Sequence, residues 1–205
     1  MKELIERLKK KDEAALKEVM AMYKHQVFNY LQLMLGNREL AEELTQDTFV
    51  KVYFKAGSLE TDYLKAWIFK IATNLARSEF RKRKIKKLLS LSDVNDIHFS
   101  YKPNMENEIA VEQMLSTLPE KYRIPVIMKD IDEFSFEEMA AILKKPVGTV
   151  KSLVFRGRLQ MKNLYGRELT QPTQSTQSTQ STHGVTFIEL VTSDKFLRKI
   201  NYFAI

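Results

Sequence analysis

The sequence predicts an all-α protein: two small helical domains joined by a flexible linker. Three observations carry that reading. Apolar residues recur at helical spacing in two separate blocks, residues 1–88 and 108–169. The chain holds only six Gly and five Pro, and they sit mostly where those repeats break off. Between the blocks, residues 89–107 lose the periodicity and mix Ser, Asp and Asn with Pro103, as a connector does.

Each element follows from its own pattern. Leu16, Val19, Met20, Tyr23, Val27, Tyr30, Leu31 and Met34 predict a helix over residues 12–35, and Gly36-Asn37 stops it. Leu40, Leu44, Val52 and Tyr53 share one face of a second helix, roughly 39–56, which Gly57-Ser58 ends. Leu64, Trp67, Ile68, Ile71, Leu75 and Ala76 predict a third over about 61–87, with Thr61 as its N-cap. Three such helices close a core of ~80 residues, near the lower size limit for an independent domain.

In the second block, Ile109, Met114 and Leu115 lead to Leu118-Pro119-Glu120, and residues 122–132 are mostly apolar. A short helix over 135–143 opens with Ser135 and Glu138, spaced as a capping box. After Lys144-Lys145-Pro146 a basic helix runs over about 147–164. Two helices on a short turn, the second one basic, outline a helix-turn-helix. From Thr170 the composition changes. Residues 171–184 carry no Lys, Arg, Asp or Glu and repeat Thr-Gln-Ser, which reads as a flexible spacer. Residues 185–205 are apolar again, with Phe187, Ile188, Phe196 and Phe203, yet too few to build a core. The segment 170–205 thus stands apart from both domains.

Composition narrows the function. With no Cys, disulfides, thiolate zinc sites, iron–sulfur clusters and cysteine nucleophiles are excluded together. His25, His98 and His183 are far apart and show no ligand spacing. No metal and no cofactor is expected. No run reaches the ~18 apolar residues of a membrane span, and residues 1–12 lack the apolar stretch of a secretory signal. A cytoplasmic protein with no direct membrane insertion is expected. Lys plus Arg is 33 against 26 Asp plus Glu, so the chain is basic and suits a polyanionic partner. The charge is patterned. Residues 77–87 hold seven cations against Glu79, residues 144–167 hold seven and no acid, and Glu39, Glu42, Glu43 and Asp47 reverse the sign. Two basic stripes and one acidic patch imply separate surfaces for separate partners.

Three segments carry candidate chemistry. Pro146 opens the basic helix where its missing N–H is harmless. Gly148 and Thr149 leave the helix N-terminus open to a phosphate, and Lys151, Ser152 and Arg156 project along one side, as a major groove requires. A solvated basic face covering a core is the plainer alternative. Glu42-Glu-Leu-Thr-Gln-Asp-Thr-Phe49 presents acids on an exposed side, which an ordinary solvated helix also does. Trp67 and Phe69, interleaved with Lys65, Lys70 and Arg77, suit stacking of unpaired bases, although Trp67 fits a core equally well.

Taken in register, the motifs are specific. Glu42-Glu-Leu-Thr-Gln-Asp-Thr-Phe49, Lys65-Ala-Trp-Ile-Phe-Lys-Ile-Ala-Thr-Asn-Leu-Ala76, Leu118-Pro-Glu-Lys-Tyr-Arg123, Ser135-Phe-Glu-Glu-Met-Ala-Ala-Ile-Leu143 and Pro146-Val-Gly-Thr-Val-Lys-Ser152 resemble the extracytoplasmic-function sigma factors of the sigma-70 family. The resemblance covers about residues 12–168. It implies a sigma region 2 bundle (1–88), a linker (89–107) and a sigma region 4 helix-turn-helix (108–169). It implies a transcription initiation factor that binds bacterial RNA polymerase core, promoter DNA and an anti-sigma factor. By position, Glu43, Gln46, Asp47 and Phe49 would dock on the polymerase. Tyr63, Lys65, Trp67, Lys70, Asn74 and Arg77 would serve the −10 element, and Gly148, Thr149, Lys151, Ser152 and Arg156 the −35 element.

The chain departs from the family pattern at Leu153, where Arg is usual, and at Gly157, where Ala is common and Gly costs ~1 kcal/mol of helix propensity. A helix-turn-helix regulator acting without polymerase is the alternative, but it has no need of an acidic docking helix. An enzyme is not expected: there is no Gly-rich phosphate loop, no Gly-x-Ser-x-Gly and no His-Glu-x-x-His.

Overall fold

The computed structural model describes residues 1–59, 63–89 and 114–168. Within them every regular element is helical. These are α1 (Lys2–Lys9), α2 (Glu13–Leu35), α3 (Arg38–Lys55) with a 3-10 turn (Ala56–Ser58), α4 (Leu64–Leu89), α5 (Glu120–Asp130), α6 (Phe136–Leu143) and α7 (Val147–Glu168). Residues 114–117 add one helical turn before α5. The Thr61 cap, the connector 90–107, Ile109 and the segment from Thr170 lie outside the described residues.

The first block is a bundle of α2, α3 and α4. Asp12 caps α2 by accepting from the Ala14 N–H at 2.8 Å, and Asn37 caps α3 by accepting from Leu40. Gly36 ends α2 at φ 62°, a left-handed conformation that costs glycine little. Val19, Val27, Tyr30, Leu31 and Met34 of α2 pack with Leu44, Phe49 and Val52 of α3 and with Leu64, Ile68, Phe69, Ala72 and Ala76 of α4. Three buried hydroxyls avoid the cost of an unmade hydrogen bond by donating back along their helices: Thr45 to the Ala41 carbonyl, Thr48 to Leu44 and Thr73 to Phe69. The Tyr30 hydroxyl meets Thr73 Oγ1 at 2.8 Å in the middle of this core.

An N-terminal helix joins this bundle that the sequence reading did not assign. Ile5 and Leu8 of α1 are buried against it. The turn that follows places Lys11 at φ 64°, a left-handed conformation that is strained for a side chain.

In the second block α6 and α7 pack on each other and on α5. The expected capping box is present: Ser135 Oγ accepts from the Glu138 N–H at 3.1 Å, and the Glu138 carboxylate accepts from the Ser135 N–H at 2.9 Å. The α6–α7 turn passes through Lys144 at φ 53°. Gly157 proves to be a packing requirement. A Cβ there would lie 2.6 Å from Val126 Cγ2 and 3.3 Å from the Tyr122 carbonyl oxygen, so only glycine lets α7 lie this close to α5. The ~1 kcal/mol of lost propensity is thus exchanged for a close approach.

The two blocks are in contact, α6 with α4 and α5 with α2. Phe134, buried just before α6, sets its ring edge-on to Phe69 of α4 at 4.9 Å between centroids. Arg123 of α5 is 4% exposed and donates from Nη1 to the Met34 carbonyl at 2.8 Å. That carbonyl is in the last turn of α2, where no intrahelical N–H can reach it. From Nε and Nη2 the same guanidinium bonds the Leu118 carbonyl, and Nη2 also bonds Ser116.

Candidate functional site

Three surfaces bear the residues singled out in sequence. The first is the outer face of α3. Glu43, Gln46 and Asp47 are exposed there, and Arg38 pairs with Glu42 at 3.0 Å one turn earlier. At about 100° per residue, Glu43 and Asp47 fall ~40° apart around the helix. Phe49 falls ~120° from Glu43 and ~160° from Asp47 on the same count. It is 2% exposed and belongs to the bundle core, which corrects its place in the docking set. The aromatic at that position holds the helix; its neighbours form the surface.

The second surface is α4 and the residue before it. Tyr63 is 68% exposed and Asn74 is exposed, while Lys70 and Arg77 are half-buried. Trp67 is half-buried and packs against the core, so it serves the bundle with one side and solvent with the other. Lys65 points toward the second block. Its Nζ donates to the Asp132 carbonyl at 3.1 Å and sits 4.7 Å from the centre of the Phe134 ring. Phe69 is wholly buried between Tyr30 and Phe134.

The Asp132 side chain shares this junction. Its Oδ2 is buried without a hydrogen-bond partner. Burial pushes the carboxyl pKa up to about 8, against the opposing pull of the Lys65 ammonium. A folded pKa of about 8 above an unfolded value near ~3.9 means that the folded chain holds the extra proton between those limits. Stability contributed by this group is therefore present at about pH 4 and falls as the pH rises through about 8. Asp132→Asn keeps the shape and removes the titration. The variant is expected to melt several degrees above the parent at pH 8.5, with the gap closing toward pH 5. Parallel melting curves at every pH would rule out the buried carboxyl as the source.

The third surface is α7. Gly148, Thr149, Lys151, Ser152 and Arg156 are all exposed, and they lie on the first three turns of the helix. Gly148 has open space around the position a Cβ would take, so nothing screens the helix N-terminus there. Ser152 Oγ donates back to the Gly148 carbonyl at 2.9 Å. Lys151 reaches over the Phe136 ring at 5.5 Å. Leu153 is half-buried, at the rim of this face between Thr149 and Arg156. Phe155, 67% exposed, stands among these residues and was not singled out in sequence. Two turns beyond Lys151 and nearly in line with it, Arg158 bonds the nearly buried Asp130 carboxylate of α5, with Nε at 3.1 Å from Oδ2. This pair and Gly157 together fix α7 on α5.

Arg123 and Asp132 also escaped a role in the sequence reading, although each was a charged residue inside an apolar stretch, the available signal. Among the described residues no group of three or more His, Cys, Asp or Glu is placed to hold a metal ion. No helix among them is long and apolar enough to cross a membrane.

Comparison with known proteins covers both blocks. Residues 19–85 match the Sigma-70 region 2 family and residues 108–161 match Sigma-70, region 4. The ECF RNA polymerase sigma factor SigW of Bacillus subtilis is 30% identical over 173 residues, 77% of this chain and 92% of its own. The ECF RNA polymerase sigma-E factor of Escherichia coli is 28% identical over 177 residues, 78% of this chain and 91% of its own. Among solved structures, the sigma factor RpoE of Bartonella quintana, in complex with the anti-sigma factor NepR, superposes with a TM-score of 0.60 at 28% identity, covering 73% of this chain and 96% of its own. CnrH, in complex with the cytosolic domain of CnrY, gives 0.64 at 19% identity, covering 80% and 96%, a likeness of fold.

Proposed function

The chain belongs to the extracytoplasmic-function RNA polymerase sigma factors, and on that footing we propose how its surfaces divide the work. As a sigma factor it directs core polymerase to specific promoters and helps melt the −10 region. In our reading residues 1–88 are the unit for core binding and the −10 element, 89–107 the connector, and 108–169 the −35 unit. The exposed acids of α3, Glu43 and Asp47 with Gln46, dock on the polymerase. Tyr63, Lys70, Asn74 and Arg77, with the open side of Trp67 and with Lys65 once it leaves Asp132, attend the −10 DNA. Gly148, Thr149, Lys151, Ser152 and Arg156 of α7 read the −35 DNA. The chain itself is no enzyme: it supplies binding energy to a site, and polymerase performs the chemistry. Its place is the cytoplasm, beside the polymerase. An anti-sigma factor is its negative regulator, a reading supported by the RpoE relative captured with one.

The observation that carries this division is the exposed set on the first turns of α7, with the helix held from behind by the close approach at Gly157 and further along by the Arg158–Asp130 pair. A helix fixed from behind and open in front presents its side chains to a groove at a set angle. Each good base contact contributes roughly 1–3 kcal/mol. Lys151→Ala and Arg156→Ala are each expected to weaken promoter binding by the holoenzyme about tenfold or more while core binding stays at the parent level. Gel-shift titration on a cognate promoter, beside a core-binding titration, separates the two. Parental promoter affinity in both variants would remove α7 from the −35 role.

A further inference from the structure

The acidic face of α3 continues into an apolar one. Glu43, Asp47, Val50 and Phe54 are spaced 4, 3 and 4 residues apart, which places all four within about 60° of one line along the helix. The line runs for about 16 Å. Val50 is 52% exposed and Phe54 71% exposed, although Phe49 just before them and Val52 between them are buried in the core. Large apolar side chains left in water at this register are a departure from the polar outer face that a surface helix ordinarily shows.

Phe54 is also held in place. Its ring meets the neighbouring Tyr53 ring edge-on at 5.7 Å between centroids. The Lys11 ammonium lies 5.6 Å from the Phe54 centroid and 5.0 Å from that of Tyr53. Lys11 in turn is tied to the end of α3: its Nζ donates to the Tyr53 carbonyl, and its own carbonyl accepts from the Tyr53 hydroxyl at 3.1 Å. The backbone at Lys11 takes the strained left-handed conformation that brings this about. A ring that is exposed but fixed loses little conformational freedom when something covers it, which is the property of a binding anchor.

We propose that Val50 and Phe54 form the apolar half of the polymerase-docking surface whose acidic half is Glu43 and Asp47. This rests on the assignment of α3 to core binding. The occupant it calls for is a polymerase surface with basic side chains opposite Glu43 and Asp47 and, about 10 Å beyond the Asp47 contact, an apolar recess for the Phe54 ring. The acids set orientation and the rate of encounter; the apolar pair carries affinity that salt does not screen.

The test uses the full chain and core polymerase. Val50→Ser with Phe54→Ala is expected to weaken core binding about 30-fold, as loss of an interface anchor does. That loss should be the same at about 0.1 M and about 0.5 M salt, a range over which screening of exposed charges strengthens. Glu43→Gln with Asp47→Asn should lose affinity at low salt and differ little from the parent at high salt. Phe54→Leu should recover most of the binding. Urea midpoints of all variants should match the parent, since the replaced side chains are exposed. Parental core binding by the Val50/Phe54 variant, with loss in the acid variant, overturns the proposal and leaves the α3 assignment standing. Parental binding by both overturns the two together. A parent that dimerises in sedimentation, losing the dimer but not core binding with Phe54→Ala, assigns the face to a second copy and overturns the proposal. Gain of core binding on truncation after Leu169, abolished in the Val50/Phe54 background, supports it, because the apolar segment 185–205 would then be a competitor for the same face.

Discussion

A chain carrying Glu43→Lys and Asp47→Lys is expected to fold as the parent does and to form no holoenzyme. Both carboxylates are on the solvent side of α3, while the residues that hold the helix, Ala41, Leu44, Thr45, Thr48, Phe49 and Val52, face the bundle. Among the described residues neither acid is part of an ion pair, so reversal breaks no internal link there. Folding should therefore shift by no more than about 0.5 kcal/mol, the usual range for exposed positions. Binding responds differently. Each reversal replaces an attraction with a like-charge contact, and such juxtapositions cost several kcal/mol across an interface. Two of them amount to about a thousandfold or more in Kd. Native-gel assembly with core polymerase, run beside a thermal melt, reads both quantities. Intact assembly with an unchanged melt would take α3 out of the docking role.

Arg123→Ala should lower stability by about 3 kcal/mol, a large loss for a single polar side chain. The guanidinium satisfies three buried or half-buried carbonyls, those of Met34, Ser116 and Leu118. Truncation leaves each without its donor, and an unmade buried hydrogen bond costs about 1–3 kcal/mol. Burial lowers the pKa of the guanidinium and Glu120 opposes that shift, so the charge is kept inside the fold by its neighbours. The burial also raises the Glu120 carboxyl, with Arg77 and Arg123 pulling it back. Arg123→Lys retains the charge but cannot fork to three acceptors, and should recover only part of the loss. Equilibrium urea unfolding measures both variants. Because one of the three acceptors belongs to α2, the alanine variant should also show faster amide exchange at the C-terminal turn of α2 and at the start of α5. A parental urea midpoint would mean that water replaces the side chain at no cost.

Much of the fold was legible in the sequence because its signals are local. The break at Gly36-Asn37 and the capping box at Ser135 and Glu138 are each written within four residues, and each appears where expected. The α1 helix was missed because it is short and mostly charged; only Ile5 and Leu8 are buried, too few for a periodic pattern. For the site, the exposed residues of α7 could be read from their spacing, since a helix keeps its own register. Phe49 could not be read from its motif alone, since a motif records residue order and says nothing about which side of the helix is covered. Counting around the helix would have placed it inward. Lys65 and Asp132 are 67 residues apart, and no local pattern announces that they meet. Gly157 looked like a defect in helix propensity until the position of Val126 was known. Long-range packing decides such residues, and packing is not written in neighbouring letters.

The Lys65 ammonium has one more consequence. It is committed to the Asp132 carbonyl and the Phe134 ring, and a single ammonium cannot fully serve those groups and an outside anion together. Under the proposed assignment of α4 to the −10 DNA, contact between the two blocks at Lys65 and capture of that polyanion are coupled equilibria. Linkage makes the coupling reciprocal: whatever factor closure takes from the affinity of an anion for Lys65, that anion takes from the population of the closed form. The junction then behaves as a balance with one shared weight. A substitution at Phe134, which takes away the ring face under the ammonium, moves it as one at Lys65 does.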